Sequence, residues 1–505
     1  MRWTSAICAA AVLGLAMTAS PAEAAESARA VSVSHGDPFA SCTLGSETGV
    51  NYAGAEVEPS VAVDPVRHDR FVGVFQQDRW SDGGAKGLVA AFSPDGGRTV
   101  GESLLPFSAC VPGGLPYERA SDAWVSIGPD GTAYASGLNF DVKDVNNGVG
   151  AATSFDGGRT WTHTTELIAD TQPEFFNDKN SVTADPVRAG TAYQVWDRLD
   201  AGPGGDGSKL TGPAMLSVTH DFGRTWSRPQ LMVDTAANQQ TIGNIVLADP
   251  RTGVLYDVFN LITYTDPSAT QVVSANMSLV SSADRGRTWS APVTVAADTS
   301  IAETDPNTGA ALRAGAGLPS AAIDRTTGAL YVTYEGTDFT AGKLDQVQLV
   351  RSTDGGRSWT APRRINGAPK ALAFTPAVAV AADGTVGVSY YDLRDLRPGN
   401  TTTLPTATWL TTSRRGGEHF GEERRLAPDF DALLAPNAGG FMVGDYEGLA
   451  AAGRTFRPLF MATNTGSPAN TTDIFTATPR DAVQATASSA PAFLSAPSAH
   501  PRTRH

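Results

Sequence analysis

Charged residues stand at the ends of short apolar runs along this chain, and their types are those of acid–base and anion-binding chemistry. They occur in QQDRW at Gln76, YERASDAW at Tyr117, FFNDKNSV at Phe175, WDRL at Trp196, YEG at Tyr334, YYDLRD at Tyr390 and GDYEG at Gly444. Asp122, Asp178 and Glu335 offer carboxyl groups, Tyr446 a phenol, and Arg79, Arg119, Lys179, Arg198 and Arg394 the cations. Two carboxyl groups, one kept protonated by its surroundings, suit glycoside hydrolysis, and converging arginines suit an anionic sugar. Neighbours such as Asp78–Arg79 and Asp197–Arg198 read equally well as strand-end salt bridges. Other chemistries lack their motifs: no HExxH, GxSxG or P-loop occurs, and His68, His163, His220 and His419 are dispersed.

Two interleaved repeats are the elements that must position these residues. The octapeptides SPDGGRTV at Ser93, SFDGGRTW at Ser154, THDFGRTW at Thr219, SADRGRTW at Ser282 and STDGGRSW at Ser352 are close copies, and SRRGGEHF at Ser413 is a worn sixth. Their third positions, Asp95, Asp156, Asp221, Asp284, Asp354 and Arg415, are spaced by 61, 65, 63, 70 and 61 residues. Between them lie β-rich hairpin units beginning at Pro59, Asp122, Asn180, Gly243, Pro319 and Pro376, with a less regular seventh at Gly439. Short strands at this period, with no convincing amphipathic helix, predict an all-β single β-propeller of four-stranded antiparallel blades. The hairpins count seven blades, with six as the alternative, and RAVSVSH near the N-terminus is expected to add an outer strand to the last. A row of separate sandwich domains is the competing architecture.

The octapeptide has the logic of a turn. Ser or Thr and Asp hydrogen-bond backbone amides, glycines take positive φ, and Trp161, Trp226, Trp289 and Trp359 anchor the turn between strands. A group repeated in every blade cannot converge on one point, so these aspartates are expected to be structural. One carboxylate per turn is too few for a convincing calcium site, so no cofactor is expected, and structural calcium stays open without being indicated.

These octapeptides resemble the Asp-boxes, or BNR repeats, of the sialidase superfamily. The resemblance spans roughly residues 59–480 and implies a propeller with its boxes at rim turns away from the active site. It also implies an arginine triad, a Tyr nucleophile paired with Glu, and an Asp acid/base. Tyr446 lies in the last repeat, where the sialidase tyrosine is found. Its neighbour Glu447 points to the opposite face of an extended strand, which leaves Glu335 as its expected partner. Asp178 and Asp122 are the remaining catalytic candidates. Arg119, Arg198 and Arg394 are the expected carboxylate holders, with Arg79 and Lys179 also binding substrate. The Arg-Ile-Pro type motif of that superfamily is missing here: EVEPSVAV stands in its place.

Residues 1–25, with an apolar run after Arg2 and a small-x-small site, read as a secretory signal peptide. Residues 26–58 form an N-terminal segment, 59–480 the propeller, and 481–505 a Ser/Ala/Pro-rich tail expected to be disordered. Cys42 and Cys110 remain after the signal and are expected to form a disulfide, two buried free thiols being the alternative. A net charge of -14, from 38 basic and 52 acidic residues, speaks against a nucleic-acid or membrane partner. The expectation is a secreted, monomeric exo-glycosidase acting on terminal sugars, with a neutral or anionic carbohydrate as partner. A non-catalytic carbohydrate- or protein-binding propeller is the alternative, and a polysaccharide lyase a third reading.

Overall fold

Val-, Thr- and aromatic-rich runs broken by Asp-Pro and Gly turns favour strands over helices, and the chain folds accordingly. A computed structural model describes residues 29–269, 271–464 and 471–478. The expected signal peptide and tail lie outside them. Among the described residues the only helical turns are two short 3-10 segments, Pro203–Gly205 and Ala432–Leu434. None is long and apolar enough to cross a membrane.

The strands pair as successive antiparallel meanders. The first runs through Glu56–Val63, Phe71–Arg79, Ala85–Ser93 and Gly101–Leu105. Later meanders open on Arg119–Ile127, Phe175–Ala184, Gln239–Ala248, Ser320–Ile323, Ala373–Val380 and Gly448–Ala452. Each opening strand lies beside the next, and Gly448–Ala452 returns to lie beside Glu56–Val63. The sheets therefore stand around a common axis as a β-propeller, with the opening strands innermost. Side chains tie these inner strands to one another: the Val125 N–H donates to Ser60 Oγ at 3.4 Å, the Ala184 N–H to Ser126 Oγ at 3.0 Å, and Ser181 Oγ to the Asn244 carbonyl at 2.7 Å.

Apolar cores fill the spaces between adjacent sheets. Val72, Leu88 and Val125 meet between the first and second meanders, and Val258, Leu279 and Leu330 between the fourth and fifth. Ring closure uses both ends of the chain. Arg29–Ser32 pairs antiparallel with Thr472–Thr478 and is the outer strand of the last meander. Cys42 and Cys110 are joined by a disulfide, Cα atoms 5.6 Å apart, which pins the N-terminal segment to the loop before Arg119.

The octapeptide turns repeat one hydrogen-bond pattern. In SFDGGRTW, Ser154 Oγ donates to Asp156 Oδ1 at 2.8 Å and accepts from the Gly158 N–H at 2.9 Å. The N–H and hydroxyl of Thr160 then close onto the two Asp156 oxygens at 2.9 and 2.6 Å. Asp95, Asp221, Asp284 and Asp354 bind their seventh residue in the same way. Those bonds hold the Asp284 and Asp354 carboxyls down to about 2. Gly158 has φ +88°, and a Cβ there would meet Val72 of the preceding meander at 3.0 Å, so conformation and close packing both require glycine. In the sixth copy, where Arg415 replaces Asp, the Gly417 N–H still donates to Ser413 Oγ at 3.1 Å.

Register places these turns opposite the charged strand ends. Ser154 pairs with Ala133 and Ala133 with Ile127, while Arg119 lies at the far end of the same sheet beside Phe140. Asp156→Ala is expected to lower stability by about 0.5–2 kcal/mol, the range for losing a capping carboxylate. It should appear as a lower urea midpoint at unchanged slope.

Candidate functional site

Inner strands do not run straight into the axial mouth. Their register slips between Val57 and Ser60, Ser121 and Trp124, Asp178 and Ser181, Ile242 and Ile245, and Phe374 and Ala377. Within these bulges Glu58, Asp122, Lys179, Gly243 and Thr375 have φ of +56, +54, +44, +72 and +49°. Positive φ is costly for any residue but glycine, and such strain collects at functional sites. One register position thus turns Glu58, Asp122 and Lys179 toward the same mouth, with Tyr446 at the matching place in the last repeat.

Two long connections complete the mouth. One links the fourth and fifth meanders and carries Arg313; the other precedes Gly448–Ala452 and carries Asp445. They meet where Leu312–Arg313 pairs parallel with Phe441–Met442. Arg313 then grips Asp445 with both prongs, Nε to Oδ1 at 2.9 Å and Nη2 to Oδ2 at 2.8 Å. Lys179 Nζ reaches the same Oδ2 at 2.7 Å and lies 5.7 Å from the centre of the Tyr446 ring. Glu58 Oε1 accepts the Asp445 N–H at 3.1 Å, Gln76 donates to the other Glu58 oxygen, and Arg79 Nη1 donates to Gln76 Oε1 at 2.7 Å. The Lys179 N–H is shared by Asp122 Oδ2 at 3.1 Å and Asp178 Oδ1 at 2.9 Å.

Crowding separates the charge states of these groups. Burial, with Asp445 adding to it, pushes Glu58 up to about 7, and burial with Asp122 pushes Asp178 up to about 6. Burial also opposes charge on Asp445, yet Lys179 and Arg313 hold it well below the usual carboxylate range. The same burial opposes charge on Lys179, but Asp122 and Asp445 outweigh it and raise its pKa. Protonated and ionised carboxyls therefore coexist near neutrality, the arrangement that acid–base chemistry requires. Lys179 and Asp445 line a cleft of about 530 Å³ together with Asn260, Asp298 and Ser300, a volume in the range of small-molecule sites.

Arg79, Asp122, Asp178, Lys179 and Tyr446 are brought together here. The other four sequence candidates sit in separate networks. Arg119 spends all five donors on Gly45, Thr48, Asp82 and Gly83, locking the N-terminal segment in place. Arg198 forms a two-pronged bridge to Asp170, and Arg394 bridges Asp392 and Glu423. Glu335 is buried and accepts the bulged Thr375 N–H at 2.7 Å. Tyr446 is not paired with a glutamate; its hydroxyl donates to the Ala123 carbonyl at 3.3 Å, and its ring packs on Trp124 with centroids 5.4 Å apart. Burial, then Glu58, Asp122 and Asp445, raise its pKa well above that of a free phenol, which opposes phenolate formation.

Sequence reasoning did not select Glu58 or Arg313 and gave Asp445 no role. Glu58 was detectable, because it occupies the column of Asp122 and Lys179 when the hairpin units are aligned. Arg313 carries no such signal: it lies in an irregular connection and reaches the mouth only through pairing with Phe441–Met442.

Neither a family model nor a curated protein matches the chain. Solved structures do overlap it. A protein of unknown function from Dyadobacter fermentans covers 89% of this chain and 98% of its own, at 13% identity and TM-score 0.46. The Hadza microbial sialidase Hz136 covers 81% and 73%, at 15% identity and TM-score 0.44. The GH93 α-L-arabinofuranosidase of Fusarium graminearum covers 71% and 92%, at 16% identity and TM-score 0.42. Overlaps at these values assign no activity to the chain.

Lys179→Met is expected to destabilise the protein by less than the about 3–5 kcal/mol typical of orphaning a buried charge. Arg313 would still neutralise Asp445. The double change Lys179→Met, Arg313→Met should cost more than the sum of the two single changes, measured as unfolding free energies in a double-mutant cycle.

Proposed function

We propose that this chain is a secreted glycoside hydrolase of sialidase-like architecture, acting on terminal sugars at the axial mouth of a seven-bladed propeller whose octapeptide turns are Asp-boxes. The observation that carries the reading is the meeting of two differently held carboxyls at one mouth: Asp178, whose pKa burial and Asp122 raise, and Asp445, bound by Lys179 at 2.7 Å and by both prongs of Arg313. In this mechanism Asp178 protonates the leaving oxygen as general acid while the glycosidic C–O bond breaks; a water then adds to the anomeric carbon, and the Asp178 carboxylate takes back its proton. The Asp445 carboxylate faces the positive charge that develops on the sugar ring. Asp122 orients Asp178 through the shared Lys179 N–H, while Lys179, Arg313 and Arg79 favour a substrate bearing a carboxylate. Tyr446 with Trp124 offers an aromatic wall for the ring. Hydrolysis of this kind needs no cofactor.

A second reading, a carbohydrate-binding propeller without catalysis, is favoured by the mutual pairing of Lys179, Arg313 and Asp445, which leaves these groups already neutralised.

The test is a screen of the purified protein against chromogenic glycosides, neutral ones and a sialoside. Asp178→Asn should lower kcat/KM about 10²–10⁴-fold on the substrate found. The acid must carry its proton, so kcat/KM should fall as pH rises through about 6. Full activity in Tyr446→Phe would assign the tyrosine to binding rather than to attack. If no glycoside is cleaved while a glycan is retained on the protein, the binding reading replaces the hydrolase.

A further inference from the structure

Three carboxyl groups meet in the interior, and among the described residues none of them forms a salt bridge. Glu303 comes from the connection that leads to Arg313, Glu335 from the end of Leu330–Gly336, and Asp345 from the residue ahead of Gln346–Ser352. One oxygen of each lies within 4.8 Å of the others. Their exposures are 4%, 1% and 0%. The charged groups that weigh most on them are one another, Asp298 and Asp445, all acidic. Backbone N–H groups satisfy part of the set: Thr375 donates to Glu335 Oε1 at 2.7 Å and Ile301 to Asp345 Oδ2 at 3.1 Å. Glu335 Oε2 and Glu303 Oε1 are buried and take no hydrogen bond from any other described residue, while the two carboxyls themselves lie in hydrogen-bond contact. Buried carboxylates without partners are strongly disfavoured unless they are protonated or bind a metal.

We propose that Glu303, Glu335 and Asp345 bind a divalent cation, with calcium the ion that fits. An all-oxygen donor set selects hard cations. Three oxygens sharing one calcium ion at 2.3–2.6 Å stand up to about 4.5 Å apart when evenly spread, so side chains whose oxygens already lie within 4.8 Å of one another need only small adjustments to share an ion. Backbone carbonyls and water fill the remaining positions. The ion is structural: it fastens the connection bearing Arg313 to the strand ends of the fifth meander, and so sets the position from which Arg313 reaches Asp445. It stands whether or not the mouth hydrolyses a glycoside.

The experiment uses the intact protein stripped with EDTA and titrated with calcium chloride, followed by calorimetry and thermal unfolding. One binding event is expected, with Tm rising by about 2–4 °C once calcium exceeds its Kd a hundredfold, and a weaker response to magnesium. Glu303→Gln and Glu335→Gln should each abolish the calcium response, while Asp284→Ala in an octapeptide turn should leave it intact. A native chain that shows neither heat nor a Tm change overturns the proposal in favour of protons shared among the three carboxyls. An unchanged calcium response in both glutamine variants overturns it too, by placing the ion elsewhere.

Discussion

A strand that bulges leaves a backbone N–H without its ladder partner, and an interior position cannot leave that group bare. At three of the bulges in this protein the acceptor is a carboxyl group from the neighbouring meander. Asp122 receives the Lys179 N–H, Asp197 the Gly243 N–H at 3.2 Å, and Glu335 the Thr375 N–H. Burial of so many carboxyls around one axis follows from that geometric need. Burial raises the pKa of Asp178 and of Asp197, and neighbouring carboxyls add to it: Asp122 acts on Asp178, and Asp178 on Asp197. Backbone satisfaction and acid–base capacity are here two results of one arrangement.

The two ends of each sheet are specialised differently. At one end the octapeptide turns are uniform, rigid and self-contained, their aspartates bound within the turn. At the other, connections differ in length and path, and the side chains they deliver are unlike from one meander to the next. Uniformity suits a fastening that must work between any two neighbouring sheets. Diversity suits a mouth where several unlike groups must converge on one point. The glycines and tryptophans that make the turns distinctive are committed to packing.

Much of this was legible in the sequence because it is written in local patterns. Hairpin spacing and the octapeptides specify repeated meanders, and RAVSVSH is marked as a strand by alternation. Residues of the mouth were legible only where they share a repeat position, as Asp122 and Lys179 do. The arginines were ambiguous for a physical reason. A guanidinium at a strand end can face the axis or fold back on a neighbour, and nothing local distinguishes Arg79 from Arg119, Arg198 or Arg394. Arg119 turns away because the N-terminal segment, held by Cys42–Cys110, offers it carbonyls at Gly45 and Thr48. Glu335 reads like a catalytic glutamate next to Tyr334, yet its partner is a backbone N–H contributed by the following meander. Such pairings depend on register between sheets, which no short motif records.

The pairing of Arg29–Ser32 with Thr472–Thr478 has a consequence for the order of events during synthesis. The earliest described strand to be made is a partner of the last, so it must wait through almost the entire length of the chain. Until then the last meander lacks its outer strand, and the exposed edge of Thr472–Thr478 is open to pairing with another molecule. Pairing over so long a sequence separation is intrinsically slow, because the intervening meanders must form before they bring the two strands together. The last meander therefore gains its outer strand only once Thr472–Thr478 has been made, and crowding by other unfinished copies before that pairing is the hazard this topology carries.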